Sequence, residues 1–101
     1  MLDLKEGSNY LIMTKAGRIY FGKFVHCERK PYVGAKLLRK VDVFKGVCTF
    51  GKSENPIFYD YLHLLARQVD EAVEVAFGKS KFLNTSKTEL AQCFENAIQR
   101  S

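Results

Sequence analysis

The sequence changes its pattern at Asn55-Pro56, and this change constrains the fold more than any other feature. Before that point, short apolar and aromatic segments are separated by glycine and lysine turns, which is typical of β-strands. After it, apolar residues recur at three- and four-residue spacing, which is typical of amphipathic helices. The pattern predicts an α+β fold in one domain, residues 1–101, with the sheet at about 10–50 and the helices behind it.

The segment from Tyr10 to Cys27 is the clearest predicted hairpin, with Ala16-Gly17 as its two-residue loop. This loop would place Thr14 opposite Ile19 and would leave both faces of the hairpin largely apolar. A sheet with one face in water does not require two apolar faces. We therefore expect each face to be covered, by closure into a partial small barrel, by a helix or by a second subunit.

The next segment predicts a bend and a second hairpin. Strict alternation from Tyr32 to Phe44 would place Arg39 among apolar residues, so we infer a bulge near Leu38–Lys40. Beyond it, two short apolar segments can pair across a turn at Lys45-Gly46. The expectation is a bent antiparallel sheet, or partial barrel, of four to five strands.

The second half predicts a long helix at about 56–77. Asn55 is a good N-cap and Pro56 a good first helical residue, because proline lacks the amide that would stay unpaired there. At 100° per residue, Leu65 and Val69 fall on a core stripe, whereas Arg67 lies on the polar face. The same stripe contains the aromatic and aliphatic residues Phe58, Tyr61, Leu62, Ala72, Val73 and Ala76.

Two further features of this half concern association and the final helix. Ile57, Leu64 and Val75 widen the apolar arc of the long helix, so we predict that they form an oligomer interface. Ser86-Lys87-Thr88-Glu89 has the pattern of a capping box, in which a hydroxyl and a carboxylate bind the first free amides of a helix. A short C-terminal helix at about 87–99 is expected to follow.

Gly17-Arg18-Ile19-Tyr20-Phe21-Gly22-Lys23-Phe24 resembles the glycine-spaced hairpin that opens the Sm-like and related small-barrel folds. In that family the first glycine makes the turn, and the second lets a strongly bent strand pass close to its neighbour. Here Pro31-Tyr32 stands where the family has a polar RNA-contacting segment, and the helices follow the sheet. We therefore transfer no binding residues from this resemblance.

Positive charge is concentrated in the predicted sheet. Residues 1–55 contain 11 Lys and Arg against 5 Asp and Glu, whereas residues 56–101 contain 5 against 6. Cations interleaved with aromatic rings can bind phosphates and stack on bases of single-stranded nucleic acid, and a solvated basic edge is the alternative. The predicted nucleic-acid-binding residues are Lys15, Arg18, Tyr20, Lys23, Arg29, Lys30 and Lys36.

The sequence contains no strong catalytic or metal-binding signature. Cys27, Cys48 and Cys93 lack Cys-x-x-Cys spacing and are expected to be reduced thiols. His26 and Cys27 are neighbours in a predicted strand and would point to opposite faces, which argues against a nucleophile pair. We expect no enzyme activity, no cofactor and no metal. The apolar runs are too short to cross a membrane and no secretory leader is visible, which predicts a cytoplasmic protein.

The favoured interpretation is a non-catalytic binding domain that self-associates, most simply as a dimer, or that binds a protein partner. A single-stranded nucleic-acid-binding small barrel is the alternative. A third class, a roll that binds a small apolar ligand, would need a pocket between the sheet and the long helix.

Overall fold

The computed structural model describes residues 3–31, 38–51 and 55–100, with side chains up to residue 97. The fold is α+β, as predicted: a five-stranded antiparallel open sheet followed by two helices. The strands are β1 (Asn9–Thr14), β2 (Ile19–Pro31), β3 (Leu38–Phe50), β4 (Pro56–Leu65) and β5 (Val69–Val75). A 3-10 turn (Ala66–Gln68) joins β4 to β5, and the helices are α1 (Lys79–Leu83) and α2 (Lys87–Arg100). The strand order is β4-β3-β2-β1-β5, so β4 and β5 are the edges.

The long helix predicted at about 56–77 is wrong, because this segment forms β4, the 3-10 turn and β5. Pro56 begins an edge strand, a position that tolerates a missing backbone amide as well as a helix start does. The residues predicted to share one core stripe therefore differ in burial. Phe58 is 55% and Tyr61 61% exposed, whereas Val69 is buried. Leu65 is half-buried and Arg67 is exposed.

The β1–β2 hairpin exists, but its register differs by one residue from the prediction. Leu11 lies opposite Phe21 and Met13 opposite Ile19, and the loop is closed by the Thr14 amide, which donates to the Arg18 carbonyl at 3.0 Å. A one-residue slip moves every side chain of one strand to the other face. Phe21 consequently packs with Leu11 and not with Tyr10 and Ile12.

The second predicted hairpin is also wrong, because β3 runs through Lys45-Gly46 without turning. β3 has two residues, Gly46 and Val47, between Lys45 and Cys48. The facing part of β2 has only Gly22 between Lys23 and Phe21, so β3 contains one extra residue there. Gly46 takes a φ of 58° there, as a glycine in a bulge can. The bulge inferred near Leu38–Lys40 is absent, since the pairing of these three residues with β2 is regular.

Gly17 and Gly22 take the roles that the small-barrel resemblance implies. Gly17 lies in the β1–β2 turn with a φ of 85°, where a side chain would be strained. At Gly22 the neighbouring strand comes so close that an added Cβ would lie 2.9 Å from Val47 Cγ2 and 3.2 Å from Phe44 Cβ. Glycine at position 22 therefore permits the close approach of β3 to β2.

Two apolar clusters cover the sheet. One consists of strand residues, with Ile12, Phe44 and Val47 fully buried at its centre. The other lies under the helices, where Phe82 of α1 and Leu90 and Phe94 of α2 pack against the sheet. The expectation that both faces of the first hairpin are covered is thus confirmed, the second face being covered by the C-terminal helices.

The short C-terminal helix is confirmed, and so is the Ser86 half of the predicted capping box. α2 begins at Lys87, and the Glu89 amide donates to the Ser86 hydroxyl at 3.2 Å. Ahead of it, α1 is anchored by Phe82, whose ring stacks 5.5 Å from that of Phe50. Among the described residues, neither helix has the length and hydrophobicity needed to span a bilayer.

Candidate functional site

The outer edge of β4 is the most exposed apolar part of the described surface. Ile57 is 36%, Phe58 55% and Tyr61 61% exposed. β4 has ten residues, contains no Lys or Arg, and pairs with β3 in one uninterrupted register. The ammonium group of Lys79 lies 5.7 Å from the centre of the Phe58 ring. Most of this ring nevertheless remains open to solvent.

The opposite edge, β5, has a different character. It carries the carboxylates Asp70, Glu71 and Glu74, and its pairing with β1 is interrupted by an extra residue at Asp70. Its side chains Val73 and Val75 pack into the cluster under the helices. Charges, bulges and covering elements are the features by which proteins prevent unwanted strand pairing, so β5 is protected in ways that β4 is not.

The three predicted interface residues do not lie together on this edge. Ile57 is exposed on β4, whereas Leu64 is 8% exposed and belongs to the core cluster. Val75 is half-buried against the cluster under the helices. Their grouping rested on helical periodicity, which does not apply to strands.

The predicted nucleic-acid-binding residues are divided between the two ends of β2. Lys15 and Arg18 flank the β1–β2 turn, whereas Arg29 and Lys30 lie near the far end of this 13-residue strand, which spans about 40 Å.

The remaining predicted residues do not join these two groups. Tyr20 packs against the core, with its ring 6.5 Å from that of Tyr59. Lys23 lies opposite Lys45 in the middle of the sheet. Lys36 lies outside the described residues. The described members of the set therefore form no continuous basic surface.

At the far end of β2, two cations outside the predicted set lie opposite Arg29 and Lys30. Arg29 lies opposite Lys40, and Lys30 lies opposite Arg39, in two successive cross-strand pairs. The signal for Arg39 was present in the sequence, where alternation placed it among apolar residues. We interpreted that placement as evidence for a bulge, although β3 is regular there.

Glu28 connects the basic end of β2 to β4 across β3. Its carboxylate lies 2.8 Å from Lys30 Nζ and 3.1 Å from His26 Nε2, and His63 Nδ1 of β4 lies 3.6 Å away. Hydrogen bonds from Lys30 and His26 hold the pKa of Glu28 below its ordinary value. Lys30 Nζ also donates to His63 Nδ1 at 2.9 Å, so the neutral His63 ring carries its proton on Nε2.

Cys27 and His26 do not form a nucleophile pair. The His26 ring is bound to Glu28, whereas the Cys27 thiol lies beside Asp42. Desolvation and the Asp42 carboxylate raise the pKa of Cys27, which opposes formation of the nucleophilic thiolate. Among the described residues, no group of three His, Cys, Asp or Glu side chains is placed to hold a metal ion.

Among the described residues, no pocket lies between the sheet and a long helix, because residues 56–75 form strands and a 3-10 turn. A cleft of about 250 Å³ lies instead between the β1–β2 turn and the C-terminal helices, where polar side chains such as Arg18 and Lys87 line it together with the rings of Phe50 and Phe82. The phenyl rings match the expected lining, whereas the polar groups and the position of the cleft do not.

Comparison with known proteins adds no family assignment: no protein-family model and no curated protein matches this sequence.

Proposed function

We propose that this protein is a non-catalytic interaction domain that forms a dimer by pairing the outer edge of β4 with the same edge of a second copy. The observation that carries the proposal is the exposure of Ile57, Phe58 and Tyr61 along a regular ten-residue edge strand. A long, regular and apolar edge offers both unpaired backbone groups and side-chain area to another strand.

The edge of β4 is proposed to pair with the same edge of a second copy, because the charges disfavour pairing of β4 with the β5 edge of a neighbour. Pairing β4 with the β5 edge of a neighbour would bring Asp60 towards the acidic Asp70, Glu71 and Glu74. Pairing β4 with β4 uses one patch twice about a two-fold axis, the commonest symmetry of homo-oligomers. A register in which Asp60 does not face its own copy avoids like-charge contact.

The test is molar mass in solution by light scattering at micromolar concentration. The wild-type chain should give about twice 11.6 kDa. Tyr61→Lys should give the monomer mass, because a lysine on an edge strand opposes pairing. Asp70→Lys on the β5 edge is the matched control and should remain dimeric. A monomeric wild type, or a Tyr61→Lys variant that stays dimeric with unchanged circular dichroism, contradicts the proposal.

A second candidate function is binding of single-stranded nucleic acid, which the cation pairs Arg29–Lys40 and Lys30–Arg39 favour. Binding to phosphates would weaken steeply with salt. Charge reversal of Arg29 and Lys40 should then reduce oligonucleotide affinity more than charge reversal of Lys15 and Arg18 at the other end of β2. Equal effects of the two double variants would contradict this placement.

We also propose a cytoplasmic location, since Cys27, Cys48 and Cys93 are free thiols and free thiols persist in reducing compartments. Cell fractionation tests this placement, and recovery in a secreted or membrane fraction would contradict it.

A further inference from the structure

A cleft lies at the point where β4 ends and the 3-10 turn begins. It has a volume of about 420 Å³, and its lining includes Lys30 of β2, Arg39 and Val41 of β3, His63 and Leu65 of β4, and Gln68 of the turn. The lining thus combines polar side chains from four elements with the aliphatic side chains of Val41 and Leu65. The cleft is at the opposite end of β4 from Ile57 and Phe58, and two of its lining residues, His63 and Leu65, belong to β4.

Arg39 is the unusual member of this cleft. Its Nε atom is buried and makes no hydrogen bond to any described residue, and no other buried side-chain nitrogen or oxygen of the described residues shares this condition. A buried donor without a partner destabilises a fold by the cost of its desolvation, which is larger for a charged group. This condition applies to Nε alone, because the Arg39 residue as a whole is half-buried and lines the cleft. The described protein atoms supply no acceptor to Nε.

The other polar groups of the cleft are also donors. Lys30 carries three N–H groups, of which Glu28 and His63 take two. The His63 ring accepts at Nδ1 and therefore donates at Nε2. The Gln68 side-chain oxygen accepts from the Leu65 amide at 3.3 Å, which leaves its NH2 end as the donor.

We infer that this cleft binds a phosphate-class oxyanion through the guanidinium of Arg39, assisted by Lys30 and His63. An arginine can offer two parallel N–H donors to two phosphate oxygens, a geometry that lysine lacks. Glu28 neutralises part of the charge of Lys30, so Arg39 is the main source of attraction. The inference does not depend on dimer formation or on nucleic-acid binding.

The experiment uses pyrophosphate as the probe and Arg39→Met as the variant, with Arg67→Met as the matched control. Arg67 is an exposed arginine of the 3-10 turn, and it lies outside the cleft lining. Pyrophosphate should bind the wild type and raise its melting temperature, as any ligand of the native state does. Arg39→Met should weaken binding at least about tenfold, whereas Arg67→Met should change it less than about twofold.

A second readout separates a ligand-binding arginine from a structural one. In phosphate-free buffer, Arg39→Met should melt no lower than the wild type, because the substitution removes a buried donor that has no partner. A structural arginine would instead lose stability on substitution. The inference is overturned if pyrophosphate does not bind, if both variants weaken binding equally, or if Arg39→Met is destabilised while binding is retained.

The source of the phosphate is distinguished with a single-stranded oligothymidylate without a terminal phosphate. Binding of pyrophosphate alone identifies a small phosphorylated ligand. Binding of both probes, with the same loss in Arg39→Met, identifies the phosphodiester backbone as a second source for the same site. If Arg39→Met does not change oligonucleotide binding, the cleft is not the site that binds the oligonucleotide phosphates.

Discussion

The replacement of Gly22 by alanine tests the closest approach between two strands of the sheet. The added Cβ would lie 2.9 Å from Val47 Cγ2 and 3.2 Å from Phe44 Cβ. Both neighbours are fully buried, so neither can move without disturbing the core, and overpacking of this kind costs about 1–3 kcal/mol. The reduced entropy of the unfolded chain offsets about 0.4–1 kcal/mol. We expect a net loss of about 1–2 kcal/mol.

Urea denaturation of three variants measures this loss. Gly78→Ala is the control for steric crowding, because nothing lies within 4 Å of its added Cβ. Since Gly78 is the N-cap of α1, where alanine is less favourable than glycine, it should lose up to about 1 kcal/mol but less than Gly22→Ala. In Gly22→Ala/Val47→Ala the clashing methyl is absent, so the double variant should lose at least about 0.5 kcal/mol less than the sum of the single variants. Wild-type stability of Gly22→Ala, or strict additivity, would refute the close packing of β2 on β3.

Three further outcomes are expected. Ser86→Ala should lower the free energy of unfolding by about 1 kcal/mol through loss of the helix cap, measured by urea denaturation; an unchanged midpoint would count against the cap. Burial raises the pKa of Cys48 to about 11, so its thiol should resist alkylation at pH 8 until the protein unfolds; rapid labelling of native protein would show that the core is open there. Lys30→Met should raise the pKa of Glu28, because Lys30 contributes most to lowering that pKa. The pKa is measured from the carboxyl ¹³C chemical shift of Glu28 as a function of pH, and an unchanged value would exclude this ion pair in solution.

The depressed pKa of Glu28 also sets the sign of its effect on stability. A carboxyl group with a lower pKa in the folded than in the unfolded state stabilises the fold above the unfolded pKa. That stabilisation is lost as the pH falls through the folded pKa. Lys30→Met should therefore reduce stability at neutral pH more than at pH 2.

The sequence predicted the parts of the fold that depend on local signals. The turn at Gly17, the helix cap at Ser86 and the helix after it each depend on a few adjacent residues with strong conformational preferences. The α+β class followed from the same signals. These features need no knowledge of which distant strands pair.

The segment 56–75 could not be assigned from periodicity, because its apolar residues satisfy both a helical and a strand interpretation. Glu71 and Glu74 lie among alanines and valines in a sequence that can form a helix, yet the edge position beside β1 selects a strand. Tertiary pairing can override local preference in this way. The aromatic and β-branched run Ile57–Tyr61 was the available signal for β4, and the helix-start interpretation of Pro56 outweighed it.

The candidate sites were harder to predict than the fold, because each joins residues that are distant in sequence. Lys30 and His63 meet only across the intervening strand β3. Arg39 gave a usable signal, since a cation in an apolar alternation is rare without a partner. The exposure of Phe58 depends on β4 being an edge, which only the strand order shows.

Amide hydrogen exchange along β4 at two protein concentrations tests the dimer edge most directly. If β4 pairs with β4 of a second copy, every second amide of Ile57–His63 is unpaired in the monomer and hydrogen-bonded in the dimer. We predict that these amides exchange more slowly at high than at low concentration, while the β5 amides of Val69–Val75 exchange at the same rate. Concentration-independent exchange along β4, or slowing confined to β5, would contradict the account.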